Sequence, residues 1–240
     1  MNLLAIETST ESCSVALSCQ SEVFSRSEIA PRRHAELLLP MCEAVLAEAG
    51  VSRRQLDAIA VGRGPGAFTG VRLAISAAQG MALALSLPVI PISSLAALAL
   101  DAPHDDNPIL AVIDARMGEV YAGCFRHDED GLVQALGIES VGSAEAMPIA
   151  AGQRWNVIGS GWDSYPELIR ARLGAAPVSA QGRRYPQAVS IVRLAIREFI
   201  AGHLLSPERA LPVYLRDKVA FTSEERQRAA QAQAALKVTP

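Results

Sequence analysis

Apolar and polar positions along the chain alternate in blocks that read as short strands followed by helices. Residues 2–6 are an apolar run and 8–12 a polar turn. From Cys13 to Ser18 the pattern has a period of two. Val15 and Leu17 share one face, and Ser14, Ala16 and Ser18 share the other, as in a strand. A third strand is expected over 22–29. From His34 to about Ala49 the spacing becomes helical, with Leu38, Met41, Val45 and Ala49 in register and Gly50 as the stop. Pro40 lies inside this helix and is expected to bend it or break its first turn. Ser52 and Gln55 have the spacing of a capping box. A buried strand over 57–61, a glycine turn, a helix capped by Thr69 and running to about Leu85, a strand over 88–92 and a helix over 93–100 complete this set.

The polar, proline-bounded stretch 102–108 then divides the chain, and the order repeats. Strands are expected over 109–114, 119–125 and 132–139, with a turn at 115–118 and a hairpin loop at 128–131. A short helix near 144–150, a strand over 155–159, a helix over 165–173 and a last strand over 176–179 follow. The helix 187–200 carries Val189, Val192, Ile196 and Phe199 on one stripe. Each half reads βββαβαβα, a repeat of architecture rather than of residues. The expected organisation is an N-terminal half over 1–104, a C-terminal half over 105–221 and a tail over 222–240, solvated or disordered. The expected class is α/β, of the actin-like, sugar-kinase and Hsp70 ATPase type (the ASKHA fold). That fold places nucleotide in the cleft between its halves.

Composition narrows the function. Half of the 240 residues are hydrophobic and only 5% aromatic, which suits aliphatic helices packed on sheets. A formal net charge of -3 argues against gripping nucleic acid by bulk charge, though not against a role in an RNA pathway through a partner. Cys13, Cys19, Cys42 and Cys124 are scattered, with no Cys-x-x-Cys pair. The first residues lack a basic segment and meet Glu7 early, and no apolar run reaches the roughly 20 residues that span a bilayer. The expectation is a cytoplasmic protein that does not engage membranes.

The stretch 62–73, Gly-Arg-Gly-Pro-Gly-Ala-Phe-Thr-Gly-Val-Arg-Leu, lies between a strand and a helix. Its glycines permit positive φ and close approach, and the helix start offers unpaired N–H groups. Such a turn holds a phosphate or shapes a docking surface.

Four stretches carry a family resemblance: Leu4–Thr10, Gly62–Leu73, Pro91–Leu98 and Ile113–Tyr121, with a weaker fifth at Pro212–Ala220. Together they resemble the TsaB (YeaZ) family, the non-catalytic partners of TsaD in bacterial tRNA N6-threonylcarbamoyladenosine (t6A) synthesis. The resemblance implies a subunit that pairs with TsaD and with the TsaE ATPase, meets tRNA only through that complex, and forms a homodimer when alone. TsaD-like catalysts hold metal through two histidines four residues apart on one helix. Here Ser94 and Leu98 occupy those places, so neither a metal site nor a catalytic residue is expected.

The resemblance implies docking through the helices at 34–49 and 69–85. The candidate contact residues are His34, Leu38, Met41, Cys42, Val45, Val71, Arg72, Ile75 and Gln79. A surface or capping role for His34 is the alternative. A second candidate site is the cleft, with Glu7, Thr8, Ser9, Gly64, Gly66, Asp114 and Arg116 facing a nucleotide. In kinases of this fold an Asp in the first turn holds magnesium, and Glu7 stands there with a longer arm. Alternatively, Thr8 and Ser9 satisfy the turn's own backbone, and Arg116 pairs with a neighbouring acid. No cofactor is expected for the isolated chain, with weak ATP or ADP binding allowed in the complex. The competing readings are a small-molecule kinase or glycoprotease-like enzyme of the same fold, and a stand-alone regulatory homodimer.

Overall fold

The computed structural model describes residues 1–150 and 152–216. The expected tail over 222–240 lies outside them. The first half opens with β1 (Leu3–Glu7), β2 (Ser12–Cys19) and β3 (Glu22–Ile29), an antiparallel meander. Next come α1 (His34–Glu48), a 3₁₀ turn (Arg53–Gln55), β4 (Ala58–Gly62), α2 (Phe68–Leu85), β5 (Val89–Ile92) and α3 (Ser94–Ala99). The sheet order is β3-β2-β1-β4-β5, with β4 and β5 parallel to β1. β1 and β4 are buried along their whole length, because a central strand covered on both faces needs a continuous apolar run. Leu4 pairs with Leu17 on one side and with Ile59 on the other.

The second half repeats the plan. β6 (Ile109–Arg116), β7 (Glu119–His127) and β8 (Val133–Ala135) form the meander, and β9 (Ser140–Ser143) also pairs with β7. A 3₁₀ turn (Ala144–Ala146), β10 (Asn156–Ile158), α4 (Ser160–Ser164), α5 (Pro166–Leu173), β11 (Ser179–Gln181) and α6 (Ala188–Ile200) follow. The order β11-β10-β6-β7-β8 mirrors the first sheet strand for strand.

Several expectations change in detail. The strand expected over 132–139 shortens to β8, because Gly137 and the exposed Ile138 turn the chain away from the sheet, and the unexpected β9 follows it. The short helix near 144–150 is one 3₁₀ turn. The last strand begins at Ser179 rather than 176. α2 starts at Phe68 with Ala67 in the cap position and no side-chain bond to its first turn, so Thr69 is inside the helix and does not cap it. α1 runs through Pro40 without a break. Leu38 and Cys42 on either side stay in the core, and that packing carries the helix across the missing N–H. The capping reading at 52–55 holds: the Ser52 N–H donates to Gln55 Oε1 at 2.8 Å.

The boundary near 104 separates the sheets but not the helices. α6, assigned from sequence to the second half, packs on β1, β2, β4 and β5 of the first sheet. α3, from the first half, packs on β6 and β7 of the second. One continuous core results, in which Leu3, Ala5 and Ala60 join Ile109, Ala111 and Ile158 through Leu95, Leu98, Ile191 and Ala195. The outer face of the first sheet is covered by α1 and α2, and that of the second by Met147, Ile149, Trp155, Ile169 and Leu173.

Candidate functional site

The glycine turn after β4 closes onto the turn after β1. A Cβ on Gly66 would collide with the Ser9 carbonyl, and one on Gly70 with the Thr8 carbonyl. The contacts are completed by the Ala67 N–H, which donates to Ser9 O at 2.7 Å, and by Thr8 Oγ1, which donates to Gly70 O at 2.7 Å. Gly64 has φ +87°, in the left-handed region that disfavours side chains. The glycines therefore serve close packing of two turns within the chain. Gly64 and Thr8 are corrected on this point, since their contacts are to protein; Gly66 packs on Ser9 as well and reaches the edge of the cleft.

Glu7 is corrected in the same way. Its carboxyl is fully buried at the end of β1. The Ser9 N–H donates to Oε1 at 2.5 Å and Ser94 Oγ to Oε2 at 2.7 Å. A Cβ on Gly62 would fall onto this carboxylate. Burial pushes its pKa above the ordinary carboxylate value, and these hydrogen bonds only partly oppose that. A sealed acid of this kind cannot hold a hydrated magnesium ion in the cleft. Ser94, at one of the two positions corresponding to the metal-binding histidines of TsaD-like catalysts, is committed to Glu7. Leu98, at the other, is core.

The cleft between the halves is a cavity of about 260 Å³ lined by Ser9, Glu11, Phe68, Asp114, Arg116 and Tyr214, among others. Arg116 spans it. Its Nη2 lies 2.6 Å from Glu11 Oε1 of the first half, and its Nη1 lies 3.0 Å from Asp114 Oδ2. The alternative reading of Arg116, a pairing with neighbouring acids, is the observed one. The structure thus brings Ser9, Gly66, Asp114 and Arg116 to one cavity and leaves Glu7 and Thr8 buried beneath it.

The second candidate site is the outer face of α1 and α2. Leu38, Cys42, Val45, Val71 and Ile75 are buried in the chain's own core, which corrects their assignment to a partner surface. Burial also drives the Cys42 thiol up to about 12 and that of Cys13 to about 11, so both stay protonated. His34 Nε2 lies 2.9 Å from Thr10 O and carries its proton there, pinning α1 to the β1–β2 turn. Gln79 Nε2 donates to Ala210 O at 3.1 Å. Met41 is half-buried against the core. Arg72 is exposed, with its guanidinium 3.6 Å from the Phe68 ring centroid and its Nε donating to Tyr214 OH at 2.7 Å.

What these helices present outward is a different set. Leu39 is 54% and Leu83 62% exposed, beside the exposed small residues Ser76, Gly80 and Ala84. Between the helices, Leu39, Cys42, Leu46, Leu56, Met81 and Leu85 line an apolar cavity of about 250 Å³. α2 is long and apolar enough to cross a membrane by length and composition, which the sequence reading had not counted, yet only 28% of it is buried. A Cβ on Gly80 would meet nothing within 4 Å, so the stripe is open. Helical phase relative to Leu38 is the signal that would have placed Leu39 outside, since adjacent residues lie about 100° apart.

Two sheets of identical order, halves that share one core, and a cleft between them define a protein of the actin-like, ASKHA-type α/β class. Residues 20–220 match the family described as TsaD: tRNA N6-adenosine threonylcarbamoyltransferase. The tRNA threonylcarbamoyladenosine biosynthesis protein TsaB of Escherichia coli is 39% identical over 227 residues, covering 92% of this chain and 97% of that protein. The protein of the same description from Haemophilus influenzae is also 39% identical, with coverage of 92% and 96%. The solved structure of YeaZ from Pseudomonas aeruginosa is 44% identical and superposes with a TM-score of 0.81, covering 89% of this chain and 99% of that one. The chain belongs to the TsaB (YeaZ) family.

Proposed function

We propose that this chain is a non-catalytic subunit of bacterial tRNA threonylcarbamoyladenosine synthesis. It pairs with a TsaD-type transferase through the outer face of α1 and α2, and a TsaE-type ATPase joins the pair. The single observation that supports this reading most is α2: it has the apolar character of a buried helix, yet it leaves an exposed stripe with Ser76, Gly80, Leu83 and Ala84 in the isolated chain. Ser76, Gly80 and Ala84 allow a partner helix to approach closely, and Leu39 and Leu83 flank them. Free of its partner, the chain covers this face by self-pairing. It takes no cofactor of its own, contacts tRNA only through the complex and works in the cytoplasm without membrane contact.

The family relatives carry the pathway assignment, and the cleft speaks against independent catalysis. Glu7 is sealed, the glycines pack on protein, and Arg116 is held between two acids. The test is to mix the purified chain with a TsaD-type transferase and follow elution by size-exclusion chromatography. A single peak at the mass of a heteromer is expected, and separate elution at micromolar concentrations would overturn the pairing. Incubation of the chain alone with ATP and magnesium is expected to give no turnover. Turnover abolished by Asp114→Ala would favour the kinase reading.

A further inference from the structure

Residues 211–216 cross the mouth of the cleft as an extended segment without sheet pairing. At the first half, the Val213 N–H donates to Arg63 O at 3.0 Å, and Tyr214 packs on Phe68 with ring centroids 5.9 Å apart. Tyr214 OH also takes the hydrogen bond from Arg72 of α2. Two residues later the chain has reached the second half. There Arg216 Nη2 donates to Ala115 O at 3.0 Å and pairs with Glu119, and its guanidinium lies 6.0 Å from the Tyr121 ring centroid. Val213, Tyr214, Leu215 and Arg216 all line the cavity.

The receiving turn joins β6 to β7. Arg116, Met117 and Gly118 have φ of +63°, +60° and +81°, and the first two are side-chain-bearing residues in the left-handed region. Positive φ at Met117 and Gly118 is the geometry of a two-residue hairpin turn, and Arg116 sits at the bulge that precedes it. Arg216 bonds the residue before this turn and the residue after it.

We propose that this segment is a releasable strap that fixes the opening of the cleft. Among the described residues its anchors are few, and they are partly solvent-facing: Tyr214 is 48% and Leu211 62% exposed. With the strap in place the cavity is about 260 Å³, below the roughly 300–1,000 Å³ of ordinary small-molecule sites. Release of Arg216 frees the β6–β7 turn and the walls at Ile113–Arg116 together. Because Arg72 belongs to α2, the strap also joins the outer helical face to the second half. That consequence rests on the pairing reading, whereas the strap itself does not.

Hydrogen exchange on the full isolated chain tests the strap without any partner. In Arg216→Ala, peptides covering 211–216 and 113–116 are expected to exchange at least tenfold faster than in the wild type, with β1 and β4 unchanged. Tyr214→Phe, which loses only the bond to Arg72, is expected to give a smaller change in the same two regions. Acceleration confined to 211–216 would show a segment that merely adheres, and acceleration spread over β1 and β4 would show ordinary core packing. Either result overturns the proposal. Loss of pairing with a TsaD-type transferase in other variants would leave this result unaffected, so the two readings fail separately.

Discussion

The two halves are built on one sheet plan and differ in what covers it. Between β3 and β4 the first half has α1, of 15 residues, and between β4 and β5 it has α2, of 18. The corresponding connections of the second half hold a three-residue 3₁₀ turn and two helices of 5 and 8 residues. The strand order is the same, because each sheet must bury its inner face against the shared core. The outer layer is under no such constraint. The second half seals its sheet with compact side chains such as Trp155 and Met147. The first uses helices with more apolar surface than one sheet can take. In the proposed pairing, this surplus is the surface that a partner covers.

Strand ends sharpen the contrast. β1 ends in Glu7, buried with hydroxyl and amide donors and, among the described residues, no paired cation. β6 carries Asp114, half-buried at the cleft and 3.0 Å from Arg116. One acid belongs to the interior and the other to the boundary between the halves.

The largest expected effects break the two covers. Trp155→Ala should destabilise the chain by about 3–5 kcal/mol, since it empties the space of the largest buried side chain in its layer. Leu38→Ala should cost about 2–5 kcal/mol, whereas the neighbouring Leu39→Ala should stay within about 0.5 kcal/mol, both read from urea denaturation. Equal losses at 38 and 39 would mean that α1 is covered on both sides.

A pH series separates the two acids. The folded pKa of Glu7 is raised, so above about pH 4.5 the unfolded chain releases this proton first. Its contribution to stability therefore falls as pH rises from about 4.5 through the folded pKa. Glu7→Gln removes that slope and keeps an acceptor for the Ser9 N–H. The variant should melt higher than wild type at pH 8, with the advantage shrinking towards pH 4. A magnesium-binding Glu7 would predict no such gain. The smallest effect is at Gly80, where Ala meets open space: Gly80→Ala should raise the stability of the free chain by up to about 1 kcal/mol through helix propensity. A bulkier Gly80→Met should fold equally well and weaken pairing.

Much of this architecture was legible from periodicity. Alternation at 13–18, helical spacing at 34–49 and the proline-bounded linker placed both meanders and the repeat. Periodicity fixes a residue's face only relative to its own element. It therefore located α6 in the chain but not against the first sheet, and it gave no check on the contact residues that the resemblance implied, of which Leu38, Cys42 and Ile75 are core. The glycine turn was legible as a place of close approach. What approaches it, the Thr8 and Ser9 carbonyls, depends on the packing of two turns about 60 residues apart, which no local pattern encodes. Tyr214 and Arg216 lie in the stretch 212–220 that carries the family resemblance, but their role across the cleft needed the fold.

The central claim is tested most directly by charging the outer face where the free chain tolerates it. Leu39→Glu and Leu83→Glu point into solvent in the isolated chain, so the double variant should melt like wild type. In the pair each carboxylate would be buried without a partner, at a cost of several kcal/mol. The account predicts that the folded variant elutes apart from a TsaD-type transferase at concentrations where the wild type co-elutes. Co-elution of the folded variant as strong as that of the wild type would contradict it.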